Sequence, residues 1–342
     1  MNRSTEMMNK TRALFLLTAL LLAAGARAQQ TPAPTPSPKP DAQSRPDDKG
    51  KKDDKGKKKD KQARRYETVA FESKLVGASL PYNVILPADY KRGSSKHRRY
   101  PVLYLLHGLG GDAGDWVSSR AHLADHAAPY PFIIVVPEGR DAWYTDGSTV
   151  PNEKFESYFV EELIPDVERR FRAIASREGR AVAGLSMGGY GSLKFGLKHP
   201  EMFALAASMS GALAAPSWTP EQHLPDFVRP SVTRVYGAAG TETRRANDIF
   251  RLVRELTPER TTALPYFYLD CGTEDFLIDS NREFSALLLE KKVPHEFRQL
   301  PGTHSWPYWD RQVQEILRLA AQKLAAPADD DAKQKAKGAS GR

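Results

Sequence analysis

Cysteine is nearly absent from this 342-residue chain, with Cys271 as its single thiol. That excludes an intramolecular disulfide and any cysteine-rich zinc site. Apolar runs of membrane-spanning length are missing too. The run Ala13–Ala24 is about 12 residues, short of the roughly 20 that a helix needs to cross a bilayer. No internal repeat is evident, so a solenoid is not indicated. The main body also lacks an excess of charge of either sign. The formal charge of the chain is +8, but residues 1–28 carry +3 and residues 29–65 carry +6, which leaves −1 for residues 66–342. A nucleic-acid-binding face is therefore not implied for the body. Such binding would be confined to residues 29–65 and would weaken steeply with salt.

What is present divides the chain into unlike parts. Lys10 and Arg12 precede the apolar run, and Ala26-Arg27-Ala28 follows it as an A-x-A pattern. Together these read as an export signal over 1–28, cleaved near Ala28, which predicts a periplasmic or secreted protein. Residues 29–65 change character, with alternating Pro up to Pro40 and then a Lys/Asp/Gly-rich stretch up to Arg65. A segment with so little to bury is expected to be a disordered linker. Its charge would permit a weak electrostatic association with an anionic cell envelope, although a solvated spacer is the plainer reading. Residues 327–342 read as a short disordered tail. Residues 66–326 then suit one large α/β domain better than two small ones.

Within that domain, Pro101–His107 (PVLYLLH) and Phe132–Pro137 (FIIVVP) are continuous apolar runs, as expected of strands buried on both faces. Arg180–Leu185 reads the same way. Tyr66–Leu75, Leu80–Pro87, Phe203–Met209, Leu264–Asp270 and His295–Leu300 are further expected strands. Helices are expected over Asp115–Ala127, Gly188–Leu197, Asn281–Glu290 and Arg311–Leu324. One more is expected over Glu153–Phe171, where Phe155, Phe159, Leu163 and Val167 recur at helical spacing. The alternation predicts an α/β fold with a mainly parallel central sheet flanked by helices. Ala215–Glu259 is the least readable stretch and is expected to cap or border a site.

The functional signal concentrates in Gly184-Leu185-Ser186-Met187-Gly188, a G-x-S-x-G between an expected buried strand and an expected helix. The glycines permit a sharp turn that presents the Ser186 hydroxyl in front of a helix N-terminus. A serine hydroxyl needs a base, and in this arrangement the partners follow in the order serine, acid, histidine. Beyond Ser186, His199 would face away, His223 precedes the expected acid, and His295 would point along the sheet. His304, in the loop Pro301–His304, is the expected base. Asp275 is the expected acid, with Glu274, Asp270 and Asp279 as competitors, Asp270 being better suited to binding backbone at its strand's end. The Met187 N–H should donate to the developing oxyanion. A second donor is expected from the loop His107–Gly111, at Leu109 or its neighbour Gly108.

These residues resemble an esterase family of the α/β-hydrolase fold that includes S-formylglutathione hydrolases, tributyrin-type esterases, feruloyl and acetyl-xylan esterases and mycolyltransferases. The resemblance runs through LLHGLGG (105–111), WYTDG (143–147), GLSMGGYGS (184–192), ASMSGAL (207–213), CGTEDFL (271–277) and GTHSWPYW (302–309). It implies an α/β-hydrolase, a Ser186–Asp275–His304 triad with Leu109 and Met187 as oxyanion donors, and hydrolysis of an ester through an acyl-enzyme. The expected partner is a small-molecule or polysaccharide ester of short-chain, phenolic or carbohydrate-linked type. An export signal argues against cytoplasmic glutathione thioesters. Trp143, Tyr144, Trp306 and Trp309 border the motifs and either stack on substrate or pack the loops, with Trp143 and Trp306 favoured for substrate. Asp146 is expected to anchor its loop.

No metal or cofactor is required by this chemistry. His122 and His126 are four residues apart, but the glutamate of H-E-x-x-H is missing and the sequence offers no evident third ligand, so a solvated helix face is the plainer reading. Cys271 is expected to be a small buried hydrophobe. The other readings kept open are an acyltransferase to a sugar acceptor and a non-catalytic carbohydrate- or envelope-binding protein on the same fold.

Overall fold

The structure is a computed structural model and describes residues 65–219 and 224–329. The expected export signal, linker residues 29–64, tail residues 330–342 and His223 lie outside the described residues. Eight strands form the central sheet: β1 Glu67–Val69, β2 Tyr82–Ile85, β3 Val102–Leu106, β4 Ile133–Pro137, β5 Arg180–Leu185, β6 Leu205–Met209, β7 Tyr266–Gly272 and β8 His295–Leu300. Their spatial order is β1-β2-β4-β3-β5-β6-β7-β8. β2 runs antiparallel to β1 and β4, and the remaining pairs are parallel. This is the mainly parallel α/β-hydrolase sheet that the sequence predicts.

β3 and β4 are buried along their whole length, because helices cover both faces. On one face, Met187–Lys198 and Ile278–Glu290 contribute Tyr190, Leu193, Phe195, Phe284 and Leu288 to the core. The helical stretch 155–170 adds Phe155, Phe159, Leu163 and Val167 there, the four residues whose spacing predicts it. On the other face, Trp306–Lys323 packs Val313, Ile316, Leu317 and Ala320 against Leu103, Leu105, Ala183 and Ala207.

The departures from expectation have local causes. The expected first strand stops at Val69, and the chain leaves the sheet for a small hairpin pairing Glu72–Ser73 with Ala78–Ser79. Glu162 makes that exit possible, accepting hydrogen bonds from the Lys74 and Leu75 N–H groups (3.0 and 3.2 Å) and from the Ser73 hydroxyl (2.6 Å). The expected helix over Asp115–Ala127 is a short turn at Asp115–Val117 followed by a helix of only Leu123–Ala127. The Ser118 hydroxyl donates to the Asp115 carbonyl (2.7 Å), a side-chain competitor for the bond that would have continued the helix. Residues 155–170 widen into a π-turn at Tyr158–Leu163, ahead of Pro165, which has no N–H for the regular ladder. At the far end, Ala328–Asp329 pairs with Arg98–Arg99, so ordered structure runs past the expected domain boundary at 326.

Candidate active site

Parallel strands deliver their following loops to one edge of the sheet, and every expected reacting group arrives at that edge. Ser186 follows β5, His107–Gly111 follows β3, Asp275 follows β7 and His304 follows β8. Ser186 is held at φ 53°, ψ −115°, a region that costs a non-glycine residue about 1–3 kcal/mol. Its N–H donates to the Met209 carbonyl (2.9 Å), and its own carbonyl accepts from Tyr190 and Ala212 N–H (3.0 Å each). The turn closes tightly enough that a Cβ on Gly184 would lie 2.5 Å from the Gly188 carbonyl carbon. One on Gly188 would lie 2.6 Å from the carbonyl oxygens of Leu106 and His107.

His304 Nε2 lies 3.0 Å from Ser186 Oγ, and His304 Nδ1 lies 2.9 Å from Asp275 Oδ2. The other Asp275 oxygen accepts from the Leu277 N–H (2.9 Å). Burial opposes charge on the Asp275 carboxyl, yet the hydrogen bond and charge of His304, with the Leu277 N–H, hold it below the ordinary carboxylate range. An ionised Asp275 accepts a proton-bearing Nδ1, which leaves Nε2 free to accept from the Ser186 hydroxyl.

The competing residues are engaged elsewhere. Glu274 accepts from the Gly302 N–H (2.6 Å), His199 pairs with Glu156 (3.1 Å), and His295 contacts Ser285 and the Val293 carbonyl. Asp270 does not bind backbone through its side chain as expected. Its Oδ1 accepts from the Tyr308 hydroxyl (2.9 Å). Full burial pushes the Asp270 carboxyl up to about 7, against the hydrogen bonds that favour its charge. Cys271 is buried, and that burial pushes its thiol well up.

The loop after β3 is shaped by its neighbours. Trp116 Nε1 donates to the Leu106 carbonyl and the Tyr144 hydroxyl to the His107 carbonyl (3.1 Å each). The His107 ring donates to the Gly108 carbonyl through Nδ1 (2.8 Å) and accepts from the Gly139 N–H through Nε2 (2.9 Å). Gly110 N–H is engaged by Asp141 and Gly111 N–H by the Gly108 carbonyl (2.7 and 3.1 Å). Leu109 and Gly108, the two donor positions that the sequence nominates in this loop, both lie on the cavity wall. Met187 opens the helix Met187–Lys198, where an N–H has no carbonyl partner from the helix itself.

A cavity of about 660 Å³ opens over Ser186. Trp143, Trp218, Phe227, Phe276, Trp306 and Trp309 line it, with Arg120 and Asp115 among its polar groups. Phe276 and Trp309 flank the His304 ring at 4.8 and 4.9 Å. Of the aromatics nominated from sequence, Trp306 faces the cavity and stacks edge-on against Trp309. Trp143 reaches the wall but is 1% exposed, with its indole N–H donating to Ser231 (3.0 Å). Tyr144 is the correction: its ring is buried beneath the loop against His107 and is not among the residues that line the cavity.

Sequence reasoning passed over Trp218 and Phe227, which come from the unreadable stretch, and Phe276, whose place beside Asp275 was a usable signal. It also missed a support beneath the site. Lys194 is fully buried and donates to Glu156 (2.8 Å), to the Thr145 hydroxyl (2.9 Å) and to the Tyr144 carbonyl. Burial pulls its ammonium down to about 8 despite Glu156 beside it. Asp146 anchors its loop as expected, accepting from the Glu156 and Ser157 N–H groups (2.9 and 3.0 Å).

Comparison with known proteins agrees with this architecture. The Esterase family model matches residues 73–320. Esterase Rv1288 of Mycobacterium tuberculosis is 33% identical over 250 residues, 68% of this chain and 54% of its own length. The chain thus spans about half of that relative. Acetyl esterase of Caldicellulosiruptor saccharolyticus is 29% identical over 72% of this chain and 94% of its own. Among solved structures, a ferulic acid esterase superposes with a TM-score of 0.64 at 30% identity, covering 76% of this chain and 98% of that one. The chain belongs to the Esterase family of the α/β-hydrolase fold.

Proposed function

We propose that this protein is an exported serine carboxylic-ester hydrolase that works through an acyl-enzyme on Ser186. The observation that carries the reading is the continuous hydrogen-bonded line Asp275–His304–Ser186 at the floor of an aromatic cavity. In the proposed cycle His304 Nε2 takes the Ser186 proton as Oγ attacks the ester carbonyl. The Met187 and Leu109 N–H groups receive the charge that forms on the carbonyl oxygen, and Asp275 stabilises the imidazolium. The alcohol leaves with the proton from His304. Water, activated by the same ring, then releases the acid and restores Ser186. Every proton taken by His304 is returned within its half-cycle, so the reaction needs no further co-reactant.

Several aromatic faces beside the nucleophile suit a phenolic or carbohydrate-linked acyl ester better than a long flexible chain. The names of the related acetyl and ferulic acid esterases support the same substrate class. Export rests on the signal pattern in residues 1–28, and fractionation of the producing cell checks it directly. The activity test is hydrolysis of nitrophenyl esters of increasing length, methyl ferulate and acetylated xylan, with Ser186→Ala beside it. The expected outcome is turnover that drops by about 10⁴-fold or more in the variant. Equal rates for the two proteins on every ester would reject the reading.

A further inference from the structure

Outside the triad, three metal-ligating side chains from distant parts of the sequence meet. His122 Nδ1 lies 3.1 Å from Asp310 Oδ2, and His126 Nε2 lies 3.0 Å from Asp310 Oδ1. One ligand atom from each residue can be chosen so that all three lie within 4.8 Å of one another. His122 precedes the short helix Leu123–Ala127, His126 lies within it, and Asp310 sits in the first turns of Trp306–Lys323. The third ligand that the sequence did not offer is thus supplied from 184 residues beyond His126.

Asp310 also lacks an ordinary counter-ion. Its only ion-pair contacts among the described residues are the two imidazoles. Arg311, next to it, donates to the Pro301 carbonyl (2.7 Å), and Arg120 is held by Asp115 (2.9 Å). A carboxylate between two imidazoles, with the nearby guanidinium groups engaged elsewhere, brings three metal-ligating groups together with no Lys or Arg partner among them.

We propose that His122 Nδ1, His126 Nε2 and the Asp310 carboxylate form a site for a divalent transition-metal cation of the zinc type. Two imidazole nitrogens and one carboxylate oxygen match the preferences of a borderline-soft cation. Calcium and magnesium prefer all-oxygen sets. Tetrahedral bonds of about 2.0–2.1 Å place ligand atoms about 3.3 Å apart. Each imidazole nitrogen is already close to that distance from one Asp310 oxygen, the two nitrogens approaching different oxygens. With one ligand atom per residue the set spans at most 4.8 Å, so rotation of the three partly exposed side chains has to close the remainder. Both imidazoles would bind as neutral ligands, with their protons on the nitrogens that face away from the metal.

The consequence reaches the cavity. The helix that carries Asp310 also carries Trp306 and Trp309, and Trp309 packs edge-on against His304. A cation would fasten that helix to Leu123–Ala127 and so stiffen one wall of the cavity. The site takes no part in the ester chemistry and stands independently of the proposed function.

The test is zinc titration by calorimetry on the untagged full chain after treatment with EDTA, with Asp310→Asn, His126→Ala and His304→Ala beside it. Circular dichroism without metal verifies folding. The expected result is one equivalent of zinc bound with micromolar Kd and weakened at least tenfold in Asp310→Asn and His126→Ala but not in His304→Ala. At a hundredfold excess over Kd, Tm should rise by about 5 °C in the wild type. Binding weaker than millimolar in the wild type would overturn the proposal. So would binding lost in His304→Ala but kept in Asp310→Asn, because that places the metal on the triad histidine.

Discussion

Asp275→Asn keeps the size of the acid while removing its charge. The amide presents either a weaker acceptor or a donor to His304 Nδ1, and a donor there forces the ring proton onto Nε2, where it blocks acceptance from Ser186. The expected outcome is a fall in kcat of about 10³–10⁴-fold with little change in KM, read from steady-state ester hydrolysis. Asp270 calls for the opposite treatment. Its folded pKa of about 7 lies above the ordinary 3.8, so the folded state holds the extra proton between those values, and the carboxyl costs stability progressively as pH rises through that window. Asp270→Asn removes the titration, and its amide oxygen can still accept from Tyr308. Chemical denaturation should therefore show the variant gaining on the wild type by on the order of 2 kcal/mol between pH 5 and pH 8. A difference that stays constant with pH would place the titration elsewhere. At this scale the sequence was most informative where chemistry restricts residue type. Ser186, His304 and Asp275 could be nominated because nucleophile, base and acid must follow particular strands. Tyr144 stayed undecided between substrate and loop packing because a motif fixes neighbourhood in the chain, not which side of a loop a ring takes. Trp218 and Phe227 left no signal, since an aromatic on a cavity wall and an aromatic in a core look alike in sequence.

Two elements meet closely where the helix Met187–Lys198 passes the end of β3. Gly188→Ala puts a methyl group 2.6 Å from two carbonyl oxygens, and neither backbone segment can yield without moving the nucleophile turn or the loop His107–Gly111. Overpacking of this kind costs about 1–3 kcal/mol. Because the displaced parts carry Ser186, Met187 and Leu109, kcat should fall at least tenfold even at temperatures where circular dichroism shows the variant fully folded. Full activity in a destabilised variant would mean that the turn relaxes without disturbing those groups. The same contrast explains which elements were legible. β3, β4 and β5 announce themselves as uninterrupted apolar runs because both of their faces are covered, and the helical stretch 155–170 announces its buried stripe. The hairpin after Val69 and the broken helix after Asp115 did not, because each is decided by a partner: Glu162 from about ninety residues away in one case, and a serine hydroxyl competing for a carbonyl in the other.

Across the whole molecule, the net charge is unevenly placed along the sequence. Residues 66–342 sum to −1 and residues 29–65 to +6, so a chain cleaved after Ala28 carries +5, all of its positive excess lying in the stretch expected to be a linker. Attraction to an anionic surface should then belong to that stretch alone. It should be weak at physiological salt, where the screening length is about 8 Å, and steep in its salt dependence. Deleting residues 29–65 should abolish sedimentation with phosphatidylglycerol vesicles at low salt and eliminate retention on a sulfonate column at pH 7. Hydrolysis of a soluble ester should stay within about twofold, because no residue of the triad or the cavity lies in the deleted stretch. Arg65 pairs with Asp125 at the surface, an exposed contact whose loss should change stability by less than about 1 kcal/mol. If the shortened chain still sedimented with the vesicles, the arginines and lysines of the body would have to be gathered on one face despite their balanced total. The body would then be the surface-seeking part and the linker only a spacer.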